Sequence, residues 1–255
     1  MKIYSTLISC ATALLCSCSP YYYAPNKGNI PNLRSKNDLR FDAGLGGGFI
    51  MKGADIQAAY AVTSHFGAMV NGALTKGKES AINYRRREYT SSQYLEAGLG
   101  YFAFLEENRN WVFELFGGAG KGNYKIRFNP EQYSRYSMNK FFLQPSLSYT
   151  HPRKNIEFGI GSRFSGLKYT LQSAAILDEL DYDYPRARHV PNTTGIFWEP
   201  SFRFSAGSKS VKGFVSFTPS IAILDNSIPR GNYKSESWCQ VDFQYLPQAI
   251  DLSLS

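Results

Sequence analysis

The side chains of this 255-residue chain that could bind a metal or move a proton are few and poorly spaced for either task. His65, His151 and His189 are scattered, and no H-E-x-x-H, C-x-x-C or paired-histidine spacing completes a metal site. No metal or cofactor is expected. The segment DELDYDYPRARHV gathers Asp178, Asp181, Asp183 and His189, which could polarise a water, but no matching acidic pair is evident in another loop. The glycine runs GLGGG at 44–48 and GGAGKG at 117–122 lack the strand-to-helix setting of a phosphate cradle, and there is no G-x-S-x-G elbow. These residues predict a protein that is not an enzyme, with its glycines lining a wall of strands.

One covalent modification is written more clearly. MKIYSTLISCATALLCSCSP has one lysine, an apolar stretch from Ile3 to Cys16 and then small residues, which is the pattern of a cleaved signal peptide over residues 1–17. Leu15, Cys16, Ser17 and Cys18 resemble a bacterial lipobox, which makes Cys18 the expected site of diacylglycerol and palmitate. An ordinary cysteine-rich signal peptide is the alternative. Cleavage leaves Cys18 and Cys239, so acylation of Cys18 leaves no disulfide partner. Ser19 follows the cysteine and SPYYYAPN has no acidic run, which by the lipobox resemblance implies the periplasmic leaflet of the outer membrane.

Several polar stretches repeat tyrosine and arginine. INYRRREYTSSQY supplies Tyr84, Arg85, Arg86, Arg87 and Tyr89, NPEQYSRYSMN supplies Tyr133, Arg135 and Tyr136, and a later loop adds Tyr182, Tyr184, Arg186 and Arg188. Both residue types are enriched at protein interfaces, and the guanidinium groups also suit lipopolysaccharide phosphates. The partners expected are outer-membrane lipid, lipopolysaccharide and another outer-membrane protein. Solvated loops with no partner are the simpler reading. Nucleic acid is not expected, because the net charge of +8 is spread over loops.

These residues need a scaffold, and the composition indicates one made of strands. Aromatics reach 15% and charged residues only 19%, against about 25% in ordinary globular chains. No run of about 18 apolar residues follows the N-terminus, so a bundle of membrane helices is excluded. Residues 18–38, with Pro20, Pro25 and Pro31 and no periodicity, read as a lipidated tether. Over 39–255 the alternation predicts an all-β, antiparallel, up-and-down transmembrane β-barrel of about ten strands, with eight as the lower alternative. The strands are expected near 39–48, 54–62, 66–74, 92–105, 111–125, 140–151, 155–167, 195–207, 212–224 and 236–246. Short turns alternate with longer connections, and an even count places both ends at the short-turn, periplasmic rim.

The two faces differ in kind. Leu95, Leu99, Tyr101, Leu143, Leu147, Ile156, Phe158, Ile160, Phe202, Phe204, Ile221, Val241 and Phe243 share the apolar face, with Tyr101, Tyr149, Trp198, Trp238 and Tyr245 as interfacial aromatics. The opposite face is small residues plus Arg40, Asp42, Glu96, Glu114, Glu157, Arg163, Glu199, Arg203 and Asp242, which suits charge pairing in a narrow lumen. A lipid-tethered soluble module of lipocalin type, closing round a small apolar ligand, needs the reverse orientation. A pore is disfavoured because such side chains plug a small barrel.

YYYAPN, IPNL, KNDLRFDAGLG and ADIQAAYAVTSHFGAMVNGAL, within residues 18 to 74, resemble the start of a Bacteroidota-type group of outer-membrane β-barrel lipoproteins to which no activity is attached. The resemblance implies location and fold only. Omptin-like proteases, ten-stranded barrels with Asp and His at the outer rim, are the enzyme class against which 178–189 has to be tested. On this reading Leu147→Arg should cost roughly 2–4 kcal/mol of assembly in a bilayer, measured by refolding into lipid vesicles, and Ser146→Arg on the lumen face should cost less.

Overall fold

The alternation that starts at Leu39 forms strand after strand, with no helix among the described residues. The computed structural model describes residues 28–47, 51–80, 87–127, 132–175, 194–208, 210–225 and 251–252. Its strands are β1 (Leu39–Gly47), β2 (Met51–Ala61), β3 (Phe66–Ser80), β4 (Arg87–Phe104), β5 (Trp111–Arg127), β6 (Tyr133–Thr150), β7 (Ile156–Ala175), β8 (Thr194–Gly207), β9 (Val211–Phe217), β10 (Ile221–Asp225) and β11 (Asp251–Leu252). Each pairs antiparallel with the next from β1 to β9, giving an up-and-down sheet curled into a barrel-like shape. β11 pairs with β9 and lies against β1, where the two edges of the sheet approach each other. The tenth strand expected at 236–246 lies outside the described residues.

The strand expected over 212–224 is present but cut in two. Phe217 stands opposite Phe202 and Ile221 opposite Trp198, so β9 and β10 continue one register along β8. On that register Pro219 faces Pro200. Neither has an amide hydrogen, and the ladder stops between them.

Strands β3, β4, β6 and β7 run several residues further into the long-connection rim than alternation predicts. There the apolar side chains pass from the outward face to the inward one, as Tyr136 and Met138 on β6 and Tyr169 on β7 show, so the pattern of the apolar band is not continued while backbone pairing is. Short turns stay where the sequence places them, as at 62–65, where Thr63 Oγ1 accepts from the Phe66 amide at 2.9 Å.

Side chains alternate with the large apolar set outside. Leu95, Leu99, Leu143, Phe158, Ile160, Phe202 and Phe204 are exposed, Leu99 at 72%, while Leu147, Ile156 and Ile221 are half-buried on the same face. Exterior aromatics collect near the short turns: Phe66 meets Tyr101 edge-on at 5.5 Å, and Trp111 meets Tyr149 at 4.9 Å. Trp198 departs from the expected girdle. It sits within β8, and its indole nitrogen donates to Ser162 Oγ at 2.8 Å. Val241, Phe243, Trp238 and Tyr245 lie outside the described residues.

Facing inward, Gly98 and Gly118 are cross-strand partners, and the Phe142 ring lies on the space they leave. A Cβ at Gly118 would collide with the Ala97 carbonyl and the Gly98 Cα, which are backbone and cannot rotate away. Gly166 has nothing within 4 Å of its Cβ position. Gly118→Ala should therefore lower stability by about 1–3 kcal/mol, and Gly166→Ala should leave it nearly unchanged, in denaturant titrations followed by tryptophan fluorescence.

Candidate functional site

The interior of the barrel is where charge and geometry concentrate. Its inward positions are polar at mid-height and apolar at both ends. Toward the short turns, Leu33, Ala59, Ala61, Met69, Phe102, Val112, Phe116 and Phe142 form one buried cluster. Toward the long connections, Tyr124, Ile126, Tyr136, Met138, Leu167, Tyr169 and Phe197 form another.

Between the clusters runs a belt of ion pairs, and here the expected lumen network assembles. Glu96 and Arg163, both fully buried, pair at 2.9 Å across the lumen from β4 to β7. Glu199 pairs with Lys140 at 3.3 Å and accepts from Ser165 Oγ at 2.8 Å. Asp42 on β1 takes both Arg203 guanidinium nitrogens from β8, which ties the first strand to the last part of the meander. Glu157 is shared by Arg40, at 3.6 Å, and Lys212. Asp242 lies outside the described residues. Lys140, Lys212, Asn71 and Gln144 complete the network. Strand parity marks their faces, but Lys140 and Lys212 stand at the ends of their expected strands and show no alternation of their own.

The segment just before β1 occupies the lumen. A tether over 18–38 is corrected for 28–33: Asn29, Ile30, Asn32 and Leu33 are buried, Leu33 completely, while 18–27 lie outside the described residues. Asn32 adopts a left-handed φ of 55°, which asparagine tolerates, and this kink aims two successive amides at one carboxylate. Glu114 accepts from Leu33 N at 2.9 Å, Asn32 N at 3.2 Å and Ser146 Oγ at 3.3 Å. It is held by a backbone anion nest, not by a salt bridge.

Further in, five residues close a ring of hydrogen bonds. Asn29 Nδ2 donates to Asn71 Oδ1 at 2.6 Å and Asn71 Nδ2 to Glu96 Oε1 at 2.7 Å. Arg163 donates to Glu96 and, through Nε, to Gln144 Oε1 at 2.7 Å. Gln144 Nε2 returns to the Asn29 carbonyl.

The wall is carved for this segment. Cβ atoms at Gly67 and Gly159 would meet Leu33 Cδ1 at 2.6 Å and Ile30 Cγ2 at 2.9 Å. At the short-turn rim Arg34 and Arg109 lie over the Phe104 ring, 5.6 and 4.1 Å from its centre, and each donates to the other's carbonyl. This filling also corrects the expectation for Ser146→Arg. Ser146 is buried beneath the inserted segment, so an arginine there displaces that segment and is not the milder substitution.

The tyrosine and arginine set divides. Tyr136 is not a loop residue: β6 reaches back to Tyr133, and Tyr136 falls on its inward face among the aromatic cluster. Tyr89, Tyr133 and Arg135 lie on the outward faces of β4 and β6, with Arg127 over Tyr89 at 5.4 Å and Lys125 over Tyr133 at 5.1 Å. Arg87 opens β4 opposite Ser80. Tyr84, Arg85, Arg86, Tyr182, Tyr184, Arg186 and Arg188, with Cys18, Asp178, Asp181, Asp183 and His189, lie outside the described residues. Among the described residues no three His, Cys, Asp or Glu side chains group to hold a metal. No family model, curated protein or solved structure matches the chain.

Replacing Glu114 by glutamine removes one acceptor from the nest, and leaving a buried amide unpaired costs roughly 1–3 kcal/mol. In a chain carrying Ile30→Cys, Glu114→Gln should accelerate labelling by a soluble maleimide, while the same cysteine beside an intact Glu114 stays protected.

Proposed function

We propose that the protein is a non-enzymatic outer-membrane β-barrel lipoprotein, a structural or accessory component that docks a partner through its long-connection rim. One observation carries this reading: ion pairs occupy the middle of the interior while leucine, isoleucine and phenylalanine cover the outside. That is the reverse of a water-soluble core and the arrangement of a strand barrel in lipid. No helix among the described residues is long and apolar enough to cross a membrane, which leaves strands as the spanning elements in this reading.

A lipocalin-like ligand module needs an apolar cavity, and the volume it would use is taken by the polar belt and by residues 28–33. The same filling argues against a pore. The rim supports partner docking because Tyr89, Tyr133 and Arg135 stand outward where the apolar band has ended. The lipid anchor on Cys18 is part of the proposal. Ten residues carry the chain from it to Gly28, a reach of roughly 33 Å when extended, which suffices to leave the lumen for the periplasmic leaflet.

Fractionation of the Cys18→Ala chain tests the reading. It should remain in the outer membrane through carbonate extraction and shift in gel mobility on heating; release as a soluble species overturns the barrel assignment. In planar bilayers the unmodified protein should show no steady conductance, and sustained channel currents would replace docking by transport.

A further inference from the structure

The outward faces above the apolar band carry a pattern that the interior does not need. Reading across strands, Lys52 stands opposite Lys76, Lys76 opposite Ser91, Ser91 opposite Lys125 and Lys125 opposite Arg135. Two outward positions toward the apolar band, Lys121 and Lys168 flank Asn139. All six cations are on outward positions, five exposed and Lys125 half-buried. Directly opposed side chains in an antiparallel pair lie about 5 Å apart at Cβ, and like charges there destabilise the sheet.

The sheet tolerates two such pairs, Lys52 with Lys76 and Lys125 with Arg135. Among the described residues no acid forms a salt bridge with any of the six, whereas inside the lumen Lys140, Arg163, Arg203 and Lys212 are each matched to a carboxylate. Toward the apolar band Leu74 follows Lys76 at the next outward position, Leu95 follows Ser91 after Gln93, and Phe141 follows Arg135 after Ser137 and Asn139, the three exposed at 60, 61 and 69%.

We propose that this basic row binds the phosphate groups of a phosphorylated lipid in the leaflet on the long-connection side, with the lipid's acyl chains lying on Leu74, Leu95 and Phe141. A phosphate seated between two opposed cations converts repulsion into two charge-assisted contacts, and the apolar surface beneath accepts the rest of the molecule. The proposal rests on the membrane reading and adds to it a headgroup and the residues that hold it. A soluble phosphate would use the upper half of the site alone.

The test uses the full chain in phosphatidylcholine nanodiscs, loaded with bisphosphorylated lipid A or with its dephosphorylated form, and counts retained lipid by native mass spectrometry. The phosphorylated form should be retained about tenfold better, from roughly one factor of several per basic group at a headgroup. Lys125→Gln with Arg135→Gln should abolish that preference, and Arg153→Gln with Lys154→Gln, at a short turn on the opposite rim, should keep it. Equal retention of the two lipids by the unmodified chain, or an undiminished preference in the Lys125/Arg135 variant, overturns the proposal. Displacement of the lipid by an equal concentration of inorganic phosphate overturns lipid as the occupant. A chain that never enters the nanodisc overturns the membrane reading itself, a result distinct from entry without preference. If the first double variant fails to fold, Lys52→Gln with Lys76→Gln poses the same question at the other opposed pair, with the same readings.

Discussion

A charge enclosed by strands has no water to solvate it, so every interior carboxylate must find its counterpart within the wall or within whatever fills the wall. That requirement organises the molecule. Arg203 must come within reach of Asp42, which brings β8 to β1 and curls the sheet. Arg163 must reach Glu96 across the lumen, which limits how wide the barrel is at mid-height. Among the described residues Glu114 forms no salt bridge, and two backbone amides of an inserted segment answer it instead. The interior thus specifies register and shape by pairing, and the apolar surface is left facing outward.

Much of this was legible in alternation alone. Along β6, along β7 as far as its bulge near Leu171, and along β8 apart from the buried Pro200, inward and outward residues alternate, so Gln144, Glu157, Arg163, Glu199 and Arg203 could be assigned to one face before any contact was known. What parity could not give is the partner of each charge, because the joined residues lie up to 161 positions apart in the chain. The strand ends were hidden for a different reason: beyond the apolar band the outward face is polar and the apolar side chains turn inward, so Tyr136 reads as loop although its strand continues and its ring is buried. The inserted segment was the deepest miss. Asn, Pro and Lys around it mimic a linker, and its only signals were Ile30 and Leu33 in a polar stretch and inward glycines at 67 and 159 with no occupant in view.

The wall is not uniformly strong. On the register set by Leu143 opposite Phe164 and Ser146 opposite Gly161, Pro145 faces Ser162; Ser162 faces Pro200, and Pro200 faces Pro219. Three prolines in one row across β6 to β9 remove three amide donors from the ladder. The indole of Trp198 supplies one donor back, to Ser162 Oγ, from the exterior. The gap divides the final meander strand into β9 and β10.

The burial of the segment ahead of β1 bears on how the protein can reach this state. Gly28, ahead of β1, donates to Thr218, 190 positions later, just past β9. Hairpins can be laid down in chain order, and Asn29, Asn32 and Leu33 find partners on β3, β5 and β6 as these strands arrive, but the bond from Gly28 waits for the last part of the meander. Assembly is therefore concluded by enclosure, not by extension. Contacts this distant carry a large loop-closure cost, and a chain interrupted before β9 would hold Glu157 without Lys212 and Gly28 without Thr218.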